Sequence, residues 1–324
     1  MIVPIVISTD ENYLVPSYVM LHSLLNYANN SDKYRVFVLV EKFFSAESQK
    51  LLDSLKDEFT NVEINFINMQ DAFCESTMQL KYTTIPSMYR LLIPQLLTDY
   101  DKCIYLDVDI IICGDISTLY TVNIGDNYLA AVRDIEAGKY INIFEYEGTK
   151  PQAEKYVNSG VLLMNLEKLR EDNVVSQFMD YSKSKLLFMD QDIINIVCED
   201  KIVYLPLKYN ALVKYRFLNY SVKSYLPDVS KYFGVDDIHE AIDIPVAVHY
   251  AQPCKPWSNK YIYQGYLWHR YVSNNIDKNI YFAYIAPFIN EKRVNKKVLF
   301  KSWLKYRLQN TYLYIILLGV MKKI

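Results

Sequence analysis

The sequence predicts an α/β fold in which a mostly parallel, Rossmann-like sheet is flanked by helices. Short runs rich in Val and Ile alternate with longer segments of helical periodicity, which is the pattern of a parallel sheet with crossover helices. Apolar residues make up 51% of the 324 residues and charged residues 22%, so the chain can bury a large core. No Gly-x-Gly-x-x-Gly or Gly-Lys-Ser/Thr motif is present. A bound nucleotide would therefore need a metal ion to hold its phosphates.

The first part of the chain is predicted to form the opening half of this sheet. Three strands with two helices between them are predicted at residues 5–8, 15–27, 35–40, 45–55 and 62–67. The first strand follows Pro4, a position where a missing N–H is tolerated. Connections of this kind are right-handed crossovers, so the three strands should be parallel.

The remaining elements are predicted from shorter apolar runs. Residues 87–97 are expected to be helical with an interruption at Pro94. Arg90 is the only charged residue among them, and an arginine in an apolar helix commonly extends its guanidinium into solvent. Asp190 is the predicted cap of a helix at 190–198. Further strands are predicted at residues 104–106, 129–133, 161–164 and 246–248.

The stretch KCIYLDVDIII at residues 102–112 organises the rest of the chain. Its apolar run predicts a buried strand, and Asp107 and Asp109 follow where that strand ends. In an extended chain these side chains would lie roughly 6.6–6.8 Å apart. Binding one ion therefore requires the backbone to bend at Val108. Two more Asp-x-Asp pairs occur at 99/101 and 190/192, without a preceding strand, and a solvated turn is the alternative for every such pair.

Polar residues lie at the ends of several predicted strands or at the start of a predicted helix, and Asn158-Ser159-Gly160 directly precede the strand at 161–164. Because loops at one edge of a parallel sheet converge, these side chains could share a cleft. They are Asp107, Asp109, Asp134, Asn158, Asp190, Gln191 and His249. Two carboxylates with one imidazole favour Mn²⁺ over Ca²⁺ or Mg²⁺, which prefer oxygen ligands. The other histidines, His22, His239 and His269, have no acidic motif nearby and are interpreted as structural or surface residues.

Charge is distributed unevenly along the chain. The net charge is −2, but residues 292–324 contain only basic charges, which leaves an acidic body. An acidic body argues against nucleic acid as a ligand, and a basic tail indicates an anionic partner surface. The five cysteines form no Cys-x-x-Cys pair, and no basic region precedes the short apolar run at the N-terminus. Both features favour a reducing compartment and argue against secretion.

Six motifs occur in the order found in glycosyltransferase family 8. Over about residues 3–270 the sequence resembles the bacterial lipopolysaccharide α-galactosyl- and glucosyltransferases of that family, which are related to glycogenin. The motifs are STDENY at 8–13, YRLLIP at 89–94, YLDVDIII at 105–112, NSGVLLMNL at 158–166, DQDIIN at 190–195 and HYAQPCKPW at 249–257.

This resemblance implies a GT-A fold and a retaining, Mn²⁺-dependent hexosyltransferase, with Mg²⁺ as a possible substitute. The implied reaction moves galactose or glucose from UDP-galactose or UDP-glucose to a saccharide or lipid-linked saccharide acceptor in surface glycan or lipopolysaccharide synthesis. Two alternatives remain open. One is a glycogenin-like protein that glucosylates one of its own tyrosines, and the other is an inactive scaffold that binds sugar nucleotides.

The resemblance also implies roles for individual residues. Asp107, Asp109 and His249 match the family's metal ligands. Residues that match the donor-binding positions are Ser8, Thr9, Asp10, Asn12, Tyr13, Arg90, Val108, Asp134, Asn158, Gln252 and Lys255. Among them, Tyr13 is expected to stack on uracil, Asp10 to accept from its N3–H, and Lys255 to contact the diphosphate. The residues that match positions around the donor sugar are Arg90, Asp134, Asn158, Asp190 and Gln191. Gln252 stands where the family has glycine, so the backbone there should take a different path or its amide should add a contact.

Gln191 and Asp190 are the catalytic candidates that the resemblance implies. Gln191 is expected nearest the anomeric face of the donor, but an amide oxygen is a weak nucleophile. A front-face mechanism is therefore favoured, in which the acceptor hydroxyl attacks on the leaving-group side and the diphosphate takes its proton. Double displacement through Asp190 is the alternative, by analogy with retaining glycosidases.

The predicted domain organisation is a catalytic domain at residues 1–270 and a helical, membrane-associating extension at 271–324. Basic residues recur every four positions from Arg293 to Lys305, beside an apolar face that contains Trp303. The apolar stretch at 312–321 is too short to span a bilayer, which needs about 20 residues. We therefore expect a cytoplasmic protein that is peripheral on the inner face of the cytoplasmic membrane. A terminal helix packed on the body is the alternative.

Overall fold

The computed structural model describes residues 1–70, 72–73, 85–212, 229–251, 254–262 and 264–291. Within these ranges the chain forms one seven-stranded sheet and one three-stranded sheet. The strands are β1 (Ile2–Ser8), β2 (Lys33–Val40), β3 (Val62–Asn68), β4 (Lys102–Leu106), β5 (Ile110–Ile112), β6 (Leu129–Arg133), β7 (Val157–Asn165), β8 (Ile202–Tyr204), β9 (Ala211–Leu212) and β10 (Ala247–His249).

Helices connect these strands. The α-helices in the described ranges are Leu14–Asn26, Ala46–Asp53, Leu55–Glu58, Ile85–Met88, Ile93–Leu96, Ser117–Tyr120, Ile135–Ile141, Leu166–Glu171, Val174–Tyr181, Asp190–Val197, Val235–Asp243, Gly265–Asn275, Lys278–Ile280 and Ala286–Glu291. Short 3₁₀ turns lie at Glu11–Tyr13, Tyr89–Leu92, Glu199–Lys201 and Leu207–Asn210, and a π-helical turn at Tyr281–Ile285.

The large sheet has the strand order β3-β2-β1-β4-β7-β6-β8. β1 to β4 are mutually parallel where they pair, which confirms the predicted opening half of the sheet. β7 runs antiparallel to both β4 and β6, while β6 and β8 are parallel. The expectation of a mostly parallel sheet flanked by helices is thus confirmed.

Strands in the centre of this sheet are apolar on both faces. In β1, Ile5 and Ile7 belong to one core layer and Val6 to the other. In β4, Ile104 lies in the first layer and Tyr105 in the second. Period-2 alternation therefore sends successive side chains into two separate cores, which is why these strands read as continuous apolar runs.

The bend predicted after the central strand is present. β4 ends at Leu106, and β5 begins at Ile110 in the smaller sheet, where it pairs antiparallel with β10. The three residues between the sheets, 107–109, change the chain direction. The two aspartates therefore lie where one sheet passes into the other.

Two local predictions were wrong in detail. Asn158, Ser159 and Gly160 do not precede their strand but lie inside β7, whose antiparallel direction brings its first residues beside the end of β4. The apolar segment around residue 90 is not one helix interrupted at Pro94. It forms two short helices joined by the 3₁₀ turn Tyr89–Leu92, and the proline lies in the first turn of the second helix, where no N–H is needed.

The C-terminal helices pack on the same core as the sheet. The predicted boundary at residue 270 lies within the helix Gly265–Asn275, and Tyr271, Val272, Ile276 and Ile285 belong to the main core cluster. None of the helices in the described ranges has both the length and the apolarity needed to span a bilayer. Residues 292–324, for which membrane association is predicted, and Gln252 lie outside the described residues.

We expect two truncations to differ sharply in stability. Ending the chain after Arg270 removes four buried apolar side chains, each worth about 1.5–3 kcal/mol. That loss, on the order of 6–12 kcal/mol, is comparable with the whole stability of a domain. Ending the chain after Asn290 keeps those side chains. Thermal unfolding followed by circular dichroism should show a cooperative transition for the longer variant and not for the shorter one, and equal transitions would contradict this packing.

Candidate active site

A cavity of ≈ 270 Å³ opens at the end of β1 and β4, beside the first residues of β7. Its lining contains many of the predicted site residues. They are Ser8, Thr9, Asp10, Tyr13, Arg90, Asp107, Val108, Asp109, Asp190, Gln191 and Lys255, together with Pro86, Ser87, Tyr105, Ser159 and Phe188. Residues far apart in sequence thus meet at the sheet edge where the resemblance places the donor.

Asp107 and Asp109, which line this cavity, form a cluster with the buried His249. One ligand atom from each residue lies within 4.8 Å of the others. His249 Nε2 is 3.1 Å from Asp109 Oδ1 and 3.9 Å from Asp107 Oδ2. The imidazole is buried and faces both carboxylates, so the three groups can hold one divalent cation.

Strand pairing explains why a residue so distant in sequence completes this cluster. The register of β5 and β10 places His249 opposite Ile110, the residue after Asp109. His249 is therefore the last residue of a strand in the small sheet, rather than part of a loop after it as the sequence suggested. The bend at residues 107–109 brings both carboxylates over that strand.

The remaining carboxylate oxygens bind cationic side chains. Asp107 Oδ1 accepts from Arg90 at 2.8 Å and from the Tyr105 hydroxyl at 2.9 Å. Asp109 Oδ2 accepts from Lys255 Nζ at 2.5 Å. These contacts fix each carboxylate and direct its other oxygen toward His249. The residues present therefore fit a bound metal ion.

Arg90 is buried, contrary to the expectation that it would reach solvent. Its guanidinium also lies 3.1 Å from Asp190 Oδ2 and donates to the Ser159 carbonyl at 2.6 Å. A buried charge is costly unless it is paired, and the two carboxylates provide Arg90 with the ion pairs that it requires. Arg90 thus joins Asp107 to Asp190 through direct ion pairs.

Burial and these charges shift the pKa values of the two acids in opposite directions. Burial alone would raise the pKa of Asp109, but Lys255 and His249 outweigh it and hold the pKa well below its usual range. Burial raises the pKa of Asp190 to about 6, although Arg90 opposes this shift. Asp109 is therefore ready to bind a cation, whereas Asp190 takes up a proton near pH 6.

The prediction that Asp190 caps its helix was wrong. The helix Asp190–Val197 begins after Met189 without a side-chain cap. The Asp190 carboxylate instead accepts from Ser87 at 3.2 Å and from Ser159 at 3.3 Å, in addition to its ion pair with Arg90. The carboxylate binds these side chains rather than the N–H groups of the first helical turn, because the Arg90 guanidinium balances its buried charge.

Gln191, which lines the cavity, forms a hydrogen-bonded group with the buried residues Asp134 and Asn158. The Asn158 amide donates to Asp134 Oδ2 at 3.2 Å and to Gln191 Oε1 at 3.1 Å. Gln191 Oε1 also accepts the Ser159 N–H at 3.0 Å. Asp134 Oδ1 accepts the N–H of Ala137 and so caps the helix Ile135–Ile141. The predicted sugar-binding residues are thus brought together.

The predicted nucleoside pocket is partly assembled. Asp10 Oδ1 accepts the backbone N–H groups of Asn12 at 2.8 Å and Tyr13 at 3.1 Å, which orders the turn after β1. The Ser8 hydroxyl donates to the Pro86 carbonyl. Tyr13 lines the cavity, with its ring 6.0 Å from that of Trp257. Asn12 is exposed and does not line this cavity.

Glycine at position 160 is required by the close approach of the metal-site residues. A β-carbon there would lie 2.3 Å from His249 Cε1 and 2.7 Å from Asp107 Oδ2, well inside contact distance. Asp107 N–H also donates to the Gly160 carbonyl at 2.8 Å. Gly160 lies within the motif at 158–166, but its role depends on the pairing of β4 with antiparallel β7 and could not be predicted from that motif.

Two of the histidines interpreted as structural do have structural contacts. His22 is buried and lies 2.6 Å from the Tyr271 hydroxyl and 3.1 Å from Glu58. His269 Nε2 lies 2.9 Å from the Pro256 carbonyl. Neither belongs to the metal cluster found among the described residues.

Comparisons with known proteins show which proteins this chain is similar to. The family described as Glycosyl transferase family 8 matches residues 4–261. General stress protein A of Bacillus subtilis is 27% identical over 80% of this chain and 88% of its own length. A lipopolysaccharide 1,2-glucosyltransferase of Escherichia coli is 27% identical over 87% of this chain and 78% of its own length.

A solved structure shows the same fold. The galactosyltransferase LgtC, determined in complex with donor and acceptor sugar analogues, aligns with a TM-score of 0.65 at 22% identity. The alignment covers 85% of this chain and 98% of LgtC. This likeness confirms the predicted GT-A fold.

Gly160→Ala should weaken binding of a divalent metal by at least about tenfold, because the added methyl group must displace His249 or Asp107. Gly234→Ala is a matched control, since no atom lies within 4 Å of a β-carbon at Gly234. Titration with Mn²⁺, followed by the electron paramagnetic resonance signal of the free ion, measures both affinities. Equal affinity in the two variants would show that the close approach at Gly160 is not essential.

The raised pKa of Asp190 predicts a specific pH dependence of stability. The pKa of Asp190 is about 6 in the folded protein, against an ordinary value of 3.8. Between these two pH values the folded protein therefore binds more protons than the unfolded chain. Its stabilising contribution is full below the ordinary value and is lost as the pH rises through about 6. Relative to Asp190→Asn, the metal-free protein should lose on the order of 2–3 kcal/mol of unfolding free energy between about pH 4 and pH 7.

Urea unfolding of both proteins across that range measures this difference. The comparison removes the contribution of acids that do not interact with Asp190, because these titrate alike in both proteins. A constant difference between the two unfolding free energies would mean that Asp190 is ionised throughout.

Proposed function

This chain belongs to glycosyl transferase family 8, and we propose that it is a retaining, Mn²⁺-dependent hexosyltransferase that uses UDP-galactose or UDP-glucose. The observation that carries the proposal is the convergence of Asp107, Asp109 and His249 beneath a cavity lined by the family's motifs. Two carboxylates and one imidazole form a mixed oxygen and nitrogen site, which supports Mn²⁺. Mg²⁺ is a possible substitute at lower affinity.

The donor diphosphate is proposed to lie between the metal site and Lys255. When bound, the metal ion neutralises charge that develops on the leaving diphosphate. Lys255 Nζ is held at the cavity by Asp109 and by the Tyr250 carbonyl, 2.9 Å away. Its ammonium group can therefore donate to a phosphate oxygen without leaving the site.

The uridine is proposed to bind at the turn after β1. Asp10 and Tyr13 both line the cavity there, and the turn is ordered by hydrogen bonds to Asp10 Oδ1. Tyr13 offers an aromatic face for stacking, and the Asp10 carboxylate offers an acceptor for the uracil N3–H. Burial and nearby carboxylates raise the pKa of Tyr13, so its hydroxyl remains protonated at neutral pH.

The arrangement around Gln191 favours front-face transfer over a covalent intermediate on that residue. Gln191 Oε1 already accepts hydrogen bonds from Asn158 and from the Ser159 N–H, which reduces the electron density it can offer to an anomeric carbon. The acceptor hydroxyl would then attack beside the leaving diphosphate, which takes its proton. Asp190 lines the cavity and is the alternative nucleophile, although its ion pair with Arg90 restrains it.

The acceptor is proposed to be a saccharide, or a lipid-linked saccharide, of a bacterial surface glycan. The similarity to a lipopolysaccharide 1,2-glucosyltransferase supports this class of acceptor. Such acceptors are assembled at the cytoplasmic membrane, so we further propose that the basic residues 292–324 hold the enzyme on its inner face. Each Lys or Arg near an anionic surface contributes about 1 kcal/mol to binding.

Release of UDP from a panel of UDP-sugars tests the proposal. UDP-galactose or UDP-glucose should give Mn²⁺-dependent UDP release, and Asp109→Asn should abolish it because the metal loses a carboxylate ligand. Mass spectrometry of the protein after the reaction separates transfer to an external acceptor from self-glucosylation, which would add hexose mass. Absence of UDP release with every donor would favour the inactive scaffold.

Sedimentation with vesicles tests the proposed membrane attachment. The full chain should pellet with vesicles that contain phosphatidylglycerol, and less so at high salt, which screens the basic residues. The variant that ends after Asn290 should remain in solution and still release UDP from its donor. Equal sedimentation of both proteins, or of neither, would contradict a role for residues 292–324 at the membrane.

A further inference from the structure

Asn210 lies between the metal cluster and the residues around Gln191. It is fully buried at the end of the 3₁₀ turn Leu207–Asn210, just before β9. Its side chain is 2.9 Å from His249 Nδ1 on one side and 2.8 Å from Asn158 Oδ1 on the other. One buried amide thus contacts both a proposed metal ligand and a proposed sugar-binding residue.

The orientation of this amide follows from a backbone donor. Gly160 N–H donates to Asn158 Oδ1 at 3.0 Å, which identifies that atom as the amide oxygen. Asn210 must therefore turn its NH₂ group toward Asn158 and its oxygen toward His249. Because an amide oxygen only accepts, His249 Nδ1 must carry a proton. The ring is then fixed with Nε2 toward the two carboxylates.

We propose that Asn210 is a positioning residue that holds His249 in the tautomer and ring orientation needed to bind the metal. The proposal rests on the metal-dependent function proposed above. Metal-binding histidines generally donate their second nitrogen to an outer partner, and loss of that partner weakens metal binding about 10–100-fold. Asn210 supplies such a partner, and the NH₂ group of the same amide binds Asn158.

The same chain of hydrogen bonds reaches the donor-sugar side of the cavity. With its oxygen accepting from Gly160 and Asn210, Asn158 directs its NH₂ group to Gln191 Oε1 and Asp134 Oδ2. Gln191 Oε1 is therefore held toward Asn158 and the Ser159 N–H. Asn210 thereby couples the orientation of the metal ligand to that of Gln191.

Two substitutions of Asn210 separate its two hydrogen bonds. Asn210→Leu keeps the volume but removes both, and should weaken Mn²⁺ binding about 10–100-fold. Asn210→Asp keeps an acceptor for His249 Nδ1 but places an oxygen against Asn158 Oδ1. Its Mn²⁺ affinity should stay within about threefold of that of the native protein, a small change beside the 10–100-fold loss expected for Asn210→Leu. Its kcat should fall.

Asn165→Ala is the matched control for an asparagine with a purely structural role. Asn165 donates to the carbonyls of Gly125 and Asn127 and accepts from the Lys168 N–H, at the opposite end of β7 from Asn158. This variant should lower the melting temperature without changing Mn²⁺ affinity. If Asn210→Leu does not fold, Asn210→Ser replaces it, since a serine hydroxyl is too short to reach both partners.

Mn²⁺ titrations of the metal-free proteins, followed by electron paramagnetic resonance, give the decisive comparison. If the native protein binds no Mn²⁺, the metal-dependent function itself fails. If the native protein binds Mn²⁺ and Asn210→Leu or Asn210→Ser binds it equally well, Asn210 does not position His249. Loss of affinity in Asn210→Asp as large as that in Asn210→Leu would likewise overturn the proposal, because the acceptor is still present.

Discussion

The close approach of two carboxylates and one imidazole is the constraint on which the site depends. Asp109 Oδ1 lies 3.1 Å from His249 Nε2, and Asp107 offers a second carboxylate to the same point. Burial makes such an arrangement costly unless positive charge is supplied. Arg90 and Lys255 supply it from the outer side of the carboxylates, and a divalent metal can supply it from the inner side.

That constraint explains several features of the fold around the cavity. The bend between β4 and β5 brings two successive aspartates toward one point, and the small sheet supplies His249 beneath them. Gly160 leaves the space that the cluster occupies. Arg90 then passes the electrostatic coupling on to Asp190 at the other side of the cavity. The site is therefore built from both sheets and from a helix start.

The sequence was sufficient for those parts of the structure that depend on local pattern. The first three strands, the bend after the central strand and the place of Asp107 and Asp109 at that bend could be predicted from apolar runs and spacing. Positions at strand ends and at a helix start made His249 a candidate beside Asp107 and Asp109, but the roles predicted for the residues around the donor sugar required the resemblance to a family. Their meeting depends on sheet pairing between segments more than 100 residues apart, as for His249 and Ile110.

Other features could not be predicted because they depend on tertiary packing. The antiparallel direction of β7 places Asn158 inside a strand, and no local pattern distinguishes this from a loop before one. Arg90 can be buried because it forms ion pairs with Asp107 and Asp190. The sequence around Arg90 shows neither partner, so its guanidinium was expected to reach solvent. Asn210 carries no motif at all, and its contacts with His249 and Asn158 arise solely from the fold.

The most direct test of this account is the location of the metal ion in a crystal of the protein with Mn²⁺ and UDP. Diffraction data collected near the manganese absorption edge give an anomalous peak wherever Mn²⁺ is bound. We expect one strong peak in contact with Asp107, Asp109 and His249 Nε2, and with the diphosphate of UDP. A UDP molecule bound in the cavity with no peak at these residues, or with the peak elsewhere, would contradict it.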